Sequence, residues 1–155
     1  MKTLFLTSGL LLVLGATACF SQDAGLLGNW KTPTGSIIRV DVCDAGICMN
    51  IVKLSPSAPA TTDIHNPDPK LRSRPLCGLR IGHGFSLEEP KRASGGTLYD
   101  PKTGKTYRGA ITADGATLHL RGYVGIPLFG ASQDWTRAAA PTALCASTDP
   151  RPSGF

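Results

Sequence analysis

Between residues 26 and 138 the chain alternates instead of turning with a helical period. Ser36–Cys43 sets Ile38, Val40 and Val42 against Arg39 and Asp41. Thr117–Val124 sets Leu118, Leu120 and Val124 against Thr117, His119, Arg121 and Tyr123. A period of two residues marks a strand with one face buried and one wet. No window carries a convincing amphipathic helix. Glycine and proline, 18 and 12 of the 155 residues, cut the alternating runs into short pieces. Asp114-Gly115 suits a tight hairpin, Asp100-Pro101-Lys102-Thr103-Gly104 a longer one, and Asp44-Ala45-Gly46 a third. The pattern predicts eight strands, near 26–32, 36–43, 46–54, 77–85, 93–99, 105–113, 116–124 and 131–138.

A meander of this length is one domain, over 25–138. The expected fold is all-β: a single antiparallel up-and-down β-barrel of about eight strands, whose closure leaves no open edge. Two segments stand outside the meander. Residues 55–75 form a long loop rich in proline, aspartate and arginine, and 139–155 form a C-terminal tail rich in alanine, proline and serine.

The N-terminus reads as a signal peptide over 1–21: Lys2, an apolar run from Leu4 to Leu14, then Ala16-Thr17-Ala18 at cleavage spacing. The protein is therefore expected to be exported, periplasmic or secreted. GATAC at 15–19 offers an alternative, a lipoprotein anchored at Cys19, although Ala16 stands where such motifs usually carry leucine. No other run reaches the ~20 apolar residues of a transmembrane helix. Removing residues 1–21 takes away Lys2 and no acid, which leaves 15 basic and 11 acidic side chains, a net charge of +4. Lys70, Arg72, Arg74 and Arg80 are the one local concentration, with no interleaved aromatics, so no nucleic-acid partner is expected.

Export changes how the cysteines read. Cys43, Cys48, Cys77 and Cys145 suggest two disulfides, and three pairings are open. Cys43 and Cys48 flank a tight turn, which favours their pairing and leaves Cys77 with Cys145 to pin the tail. CxxxxC is wide for a zinc knuckle, and neither a metal nor another cofactor is expected.

Gly28-Asn29-Trp30 on the first strand and Trp135-Thr136-Arg137 on the last resemble the calycin and lipocalin signature. That resemblance implies barrel closure by Gly28, Trp30, Trp135 and Arg137, with the indole sealing one end and the guanidinium packed across it. A longer match covers nearly all of 26–138: GNWKTPTGSIIRV, CDAGICMNIVKL, NPDPKLRSRPLCGL, GGTLYDPKTGKTYRGAI and LRGYVGIPLFGASQDWTR, in that order. The chain resembles the exported bacterial family known only as domain of unknown function 2147. The resemblance implies a lipocalin-like barrel with no established activity. One residue departs from it: Met49 stands where the family usually has glycine.

No catalytic constellation emerges. His65, His83 and His119 are scattered, no serine stands in a nucleophile elbow, and Glu88-Glu89 are read as part of a polar turn. An enzyme is not expected; convergence of His65, Asp100 and Cys77 would revive one. The candidate ligand or partner residues are Asn66, Asp68, Arg72 and Arg74 of the long loop, with Tyr99, Tyr107 and Tyr123. Arg72 and Arg74 suit forked hydrogen bonds to an anionic head group, or else internal pairing with Asp63 and Asp68. The tyrosines suit a cavity wall. The expected function is binding of a small apolar or amphipathic ligand. The alternative is a non-enzymatic envelope module that binds a protein or glycan through its loops. RGYVGIPLFG at 121–130 is apolar between two strands, and it reads as a plug in preference to a ligand rim.

Overall fold

A computed structural model describes residues 25–145. The segment 1–21 expected to be a signal peptide, Cys19 within it, and the tail beyond 145 lie outside the described residues. The strands are β1 (Gly28–Lys31), β2 (Ile37–Cys43), β3 (Gly46–Lys53), β4 (Arg80–Glu89), β5 (Arg92–Asp100), β6 (Lys105–Asp114), β7 (Thr117–Tyr123) and β8 (Gly130–Ala138). Each pairs antiparallel with its neighbours in sequence, and β8 returns to β1 to close the barrel. No helix among the described residues is long and apolar enough to cross a membrane.

The expected strand set is present, with β4 shifted. Residues 76–79 do not begin β4. They form a turn beside β3, where the Gly78 N–H donates to the Ile51 carbonyl and the Leu79 carbonyl accepts from Ile51. At the far end Glu88 and Glu89 extend β4 instead of lying in a turn, and Pro90 and Lys91 alone make the bend. Glu88 there pairs with Arg92 across the hairpin, 2.9 Å away.

The lower interior is filled. Trp30, Ile38, Val40, Ile47, Met49, Phe85, Ile111 and Leu118 are all buried. Size selects glycine where this packing is tightest. A side chain at Gly96 would fall on the Phe85 ring, and a Cβ at Gly109 would come within 2.6 Å of Leu98. The same device explains Met49. Across the sheet it pairs with Gly82, whose missing side chain leaves room for the Met49 sulfur; a Cβ at Gly82 would meet it at 2.8 Å.

The base closes at the β1–β8 seam, which holds three residue pairs. The Arg137 guanidinium lies 3.8 Å from the Trp30 ring centroid. It also donates to the carbonyls of Leu27 at 2.7 Å and Gly25 at 2.6 Å, while the Trp30 indole N–H donates to Leu26 at 2.9 Å. Such a planar cation both stacks and forks. Gly28 adopts φ 121°, and a Cβ there would approach the Arg137 guanidinium to 2.9 Å. Glycine is thus required twice at this position, by conformation and by space.

Both favoured disulfides form: Cys43–Cys48 across the β2–β3 turn and Cys77–Cys145 between the long connection and the tail. The Cys145 N–H donates to the Val52 carbonyl, which lays the tail against β3. The two bridges close loops of very different length, 5 and 68 residues of separation. Loop-closure entropy therefore predicts unequal losses: Cys43→Ser/Cys48→Ser should cost roughly 2 kcal/mol and Cys77→Ser/Cys145→Ser roughly 4 kcal/mol. Urea titration of the two variants measures the difference, and equal losses would contradict it.

Candidate functional site

The odd-numbered strands run away from the base, so that the β1–β2, β3–β4, β5–β6 and β7–β8 connections gather at the opposite end. There the filling stops, and a cavity of about 580 Å³ opens. Trp135 lies along it, one inward position above Arg137 on β8, with its indole N–H donating to Gln133 at 3.1 Å. Ile81, Leu98, Tyr107 and Leu120 supply walls, and Val124, Leu128 and Phe129 stand at the mouth. The lining is mostly apolar, with Tyr99, Asp100, Tyr107, Tyr123 and Gln133 as its polar side chains. Apolar walls with a few polar groups are the ordinary make-up of a small-molecule site, and the volume lies within its usual range.

The apolar segment 124–129 is not a plug. Leu128 is 75 % exposed and Phe129 71 %, and Ile126 is exposed as well. The reason lies on the outer face of β7. Arg121 donates to the Pro127 carbonyl at 2.7 Å and to the Leu128 carbonyl at 3.3 Å, while its third nitrogen holds the Ser132 hydroxyl at 2.9 Å. These bonds draw the loop backbone to the outside of the wall and leave its side chains around the opening.

The long connection takes the second of its two readings: Asn66 and Arg74 pair internally. Asp63 is fully buried. It accepts from Arg74 at 2.8 and 2.9 Å, from the Tyr99 hydroxyl at 2.6 Å and from the Asn66 amide at 2.7 Å. Arg74 also lies over the Tyr99 ring. Arg72 is exposed and donates to the Asn66 carbonyl at 2.8 Å; Asp68 is exposed and caps the short 3-10 turn Pro69–Leu71 by accepting from the Lys70 N–H. Close approach finishes the join: a side chain at Gly104 of the β5–β6 hairpin would strike the His65 carbonyl. The network thus clips the connection to the hairpin beside the cavity.

Its charges are balanced by design of the surroundings. Burial alone would raise the Asp63 carboxyl, but hydrogen bonds from Tyr99, Asn66 and Arg74, with the Arg74 charge, hold it below the usual carboxylate value. Burial, then the bond to Asp63 and its charge, push the Tyr99 hydroxyl up to about 12.

Of the seven candidate residues, Tyr99, Tyr107 and Tyr123 line the cavity, and the four from the long loop do not. The proposed enzyme triad is ruled out at one member: Cys77 is in a disulfide. Asp100 starts its turn, accepting from the Lys102 N–H and the Thr103 hydroxyl. His119 pairs with Asp134 at 2.7 Å on the exposed face. Among the described residues no three histidine, cysteine or acidic side chains converge to hold a metal. Sequence reasoning missed Ile81, Leu98, Leu120 and Gln133 as lining residues. Leu120 alone carried a signal, as an inward position of an alternating strand.

Comparison with known proteins agrees with the architecture. A family model described as an uncharacterized protein conserved in bacteria (DUF2147) matches residues 28–137. Among solved structures, protein HP1028 of Helicobacter pylori, described as belonging to the lipocalin family, is similar with a TM-score of 0.68 and 20 % identity, over 75 % of this chain and 84 % of that one. No curated protein matches the chain.

The buried network makes two pH limits. Because the folded Asp63 pKa is lowered, its stabilisation is present above the unfolded value of about 3.9 and is lost as pH falls through the folded value. The stability gap between wild type and Asp63→Asn should therefore narrow in acid. Because the Tyr99 pKa is raised to about 12, stability should also fall as pH climbs from its ordinary value of 10.0, a loss that Tyr99→Phe lacks. At neutral pH, Arg74→Ala should cost about 3 kcal/mol, the low end for breaking a buried pair, since Arg74 itself is 34 % exposed. Chemical denaturation across pH reads all three.

Proposed function

We propose that this chain, which belongs to the bacterial family DUF2147, binds one small apolar or amphipathic molecule in the open half of its barrel. The observation that carries the reading is the division of the interior. Below Trp135 the side chains fill the barrel, whereas above it an apolar-walled space of about 580 Å³ reaches a mouth that stays open. An eight-stranded barrel has room for side chains or for one small ligand, and here it is split between the two. An apolar ligand body would lie against Leu98, Leu120 and Trp135. A polar head would remain near Tyr107, Asp100 and the water outside. The fold shared with the H. pylori protein supports the reading at the level of architecture.

Binding of a protein or glycan through the long loop is the weaker reading. Of its two arginines, Arg74 is committed to Asp63. Export to the periplasm or beyond is part of the same proposal, supported by the two disulfides, which persist in oxidising compartments.

Trp135 provides the readout. Trp30 is sealed in the base beneath Arg137, so a ligand entering the cavity should change the emission of Trp135 alone. Titration with the neutral dye N-phenyl-1-naphthylamine should give a saturable rise in dye emission, together with a change in Trp135 emission on contact that Trp135→Phe lacks. Ala131→Trp, which fills the upper cavity from β8, should weaken uptake about tenfold or more, a difference of about 1.4 kcal/mol. A folded wild type that binds neither the dye nor any extracted lipid would overturn the proposal.

A further inference from the structure

We infer that the mouth of the barrel docks on an anionic lipid bilayer and inserts the tip of the β7–β8 connection. Four apolar side chains stand in solvent within six consecutive residues: Val124 at 67 % exposure, Ile126 at 54 %, Leu128 at 75 % and Phe129 at 71 %. Scattered exposed apolar residues are ordinary; a contiguous cluster on one loop marks an interaction surface. Arg121 fixes this cluster outward through the Pro127 and Leu128 carbonyls.

Charge identifies the partner. Around the same end stand Lys31, Lys53, Lys70, Arg72, Arg74, Arg80, Lys102 and Lys105, against Asp63, Asp68 and Asp100, a net +5. The turns at the opposite end carry Asp44, Glu88, Glu89 and Asp114 against Lys91 and Arg92, a net −2. Lys53, Lys70, Lys102 and Lys105 are exposed. The β5–β6 hairpin that bears Lys102 stands beside the apolar loop at the opening, since β6 pairs with β7 and Pro101 and Phe129 line the same cavity. An apolar tip flanked by cations fits the boundary between acyl chains and anionic headgroups: the tip enters the boundary and the cations meet the phosphates. A second copy of the chain fits poorly, because mouth-to-mouth contact sets positive charge against positive charge. The inference uses the rim and its charge, not the cavity, so it stands or falls apart from the ligand reading. If both hold, the membrane is where the ligand comes from.

The test is flotation of the mature protein from residue 22 onward, disulfides intact, so that neither the apolar run Leu4–Leu14 nor an acyl chain on Cys19 contributes. The vesicles are phosphatidylcholine alone or an equimolar mixture with phosphatidylglycerol. Docking predicts flotation with the mixed vesicles only, suppressed in about 1 M salt, where the screening length shrinks to about 3 Å. Ile126→Asp and, separately, Lys102→Glu/Lys105→Glu should each reduce vesicle binding about tenfold or more. None of these three residues lines the cavity, so dye uptake in solution should match wild type and certify the fold. Equal flotation with both vesicle types, or variants that float like wild type, would overturn docking. So would vesicles being ignored by a protein that light scattering shows as a dimer dissolved by Ile126→Asp, or that binds an acidic protein instead. Failure of wild type to take up the dye would sink the ligand reading and leave docking intact.

Discussion

The guanidinium of Arg137 ties together three things that a closing barrel must join: the indole of Trp30, the incoming backbone at Gly25 and Leu27, and the last strand that carries it. The seam it guards is short, three residue pairs against seven between β7 and β8. Burial pushes the Arg137 pKa down, yet a guanidinium stays charged in proteins. The cation can therefore serve as a fixed donor under the core. With the base sealed by this group, all remaining freedom in the architecture moves to the other end.

That other end is held by two further arginines in different ways. Arg74 reaches into a buried carboxylate and clips the long connection to the β5–β6 hairpin. Arg121 stays outside and takes backbone carbonyls. One bond set pins a loop to a neighbouring hairpin, and the other holds a loop in the solvent. The cavity lies between them, with one wall braced by a charged network and its rim braced from behind. Braced sites lose less conformational entropy when they bind, which favours affinity without new contacts.

The strand order was legible in the sequence because alternation and turn chemistry are local: Asp114-Gly115 and Asp100–Gly104 sit where hairpins form. The resemblance pointed to Gly28, Trp30 and Arg137, which meet at the base, but also to Trp135, which lies along the cavity instead; both disulfides were legible through the hairpin spacing of Cys43 and Cys48. β4 was displaced because Leu76 and Leu79 are buried like strand residues while their backbone turns beside β3. The fate of the apolar loop was not legible. A plug and a rim need the same apolar composition, and the decision is made by Arg121 on a neighbouring strand. The Asp63 network was half legible. Arg74 lay close in sequence, but Tyr99 arrives from 36 residues away through the fold. The division between filled and open interior depends on Gly96 and Gly109 admitting Phe85 and Leu98, a matter of three-dimensional size that no periodicity encodes.

The bond between Cys77 and Cys145 has a topological meaning. It makes a covalent ring of the chain from the end of the long connection through β4, β5, β6, β7 and β8 to the tail. β1, β2 and β3 lie outside that ring. Around the barrel, β1 and β2 separate β8 from β3, and the seven residues 139–145 span them to reach Val52. The macrocycle thus passes over the very seam that Arg137 closes. Should the four residues of β1 let go, β8 would still be leashed to the flank of β3. Opening at the seam then becomes a local event that the chain can reverse without searching for its own end.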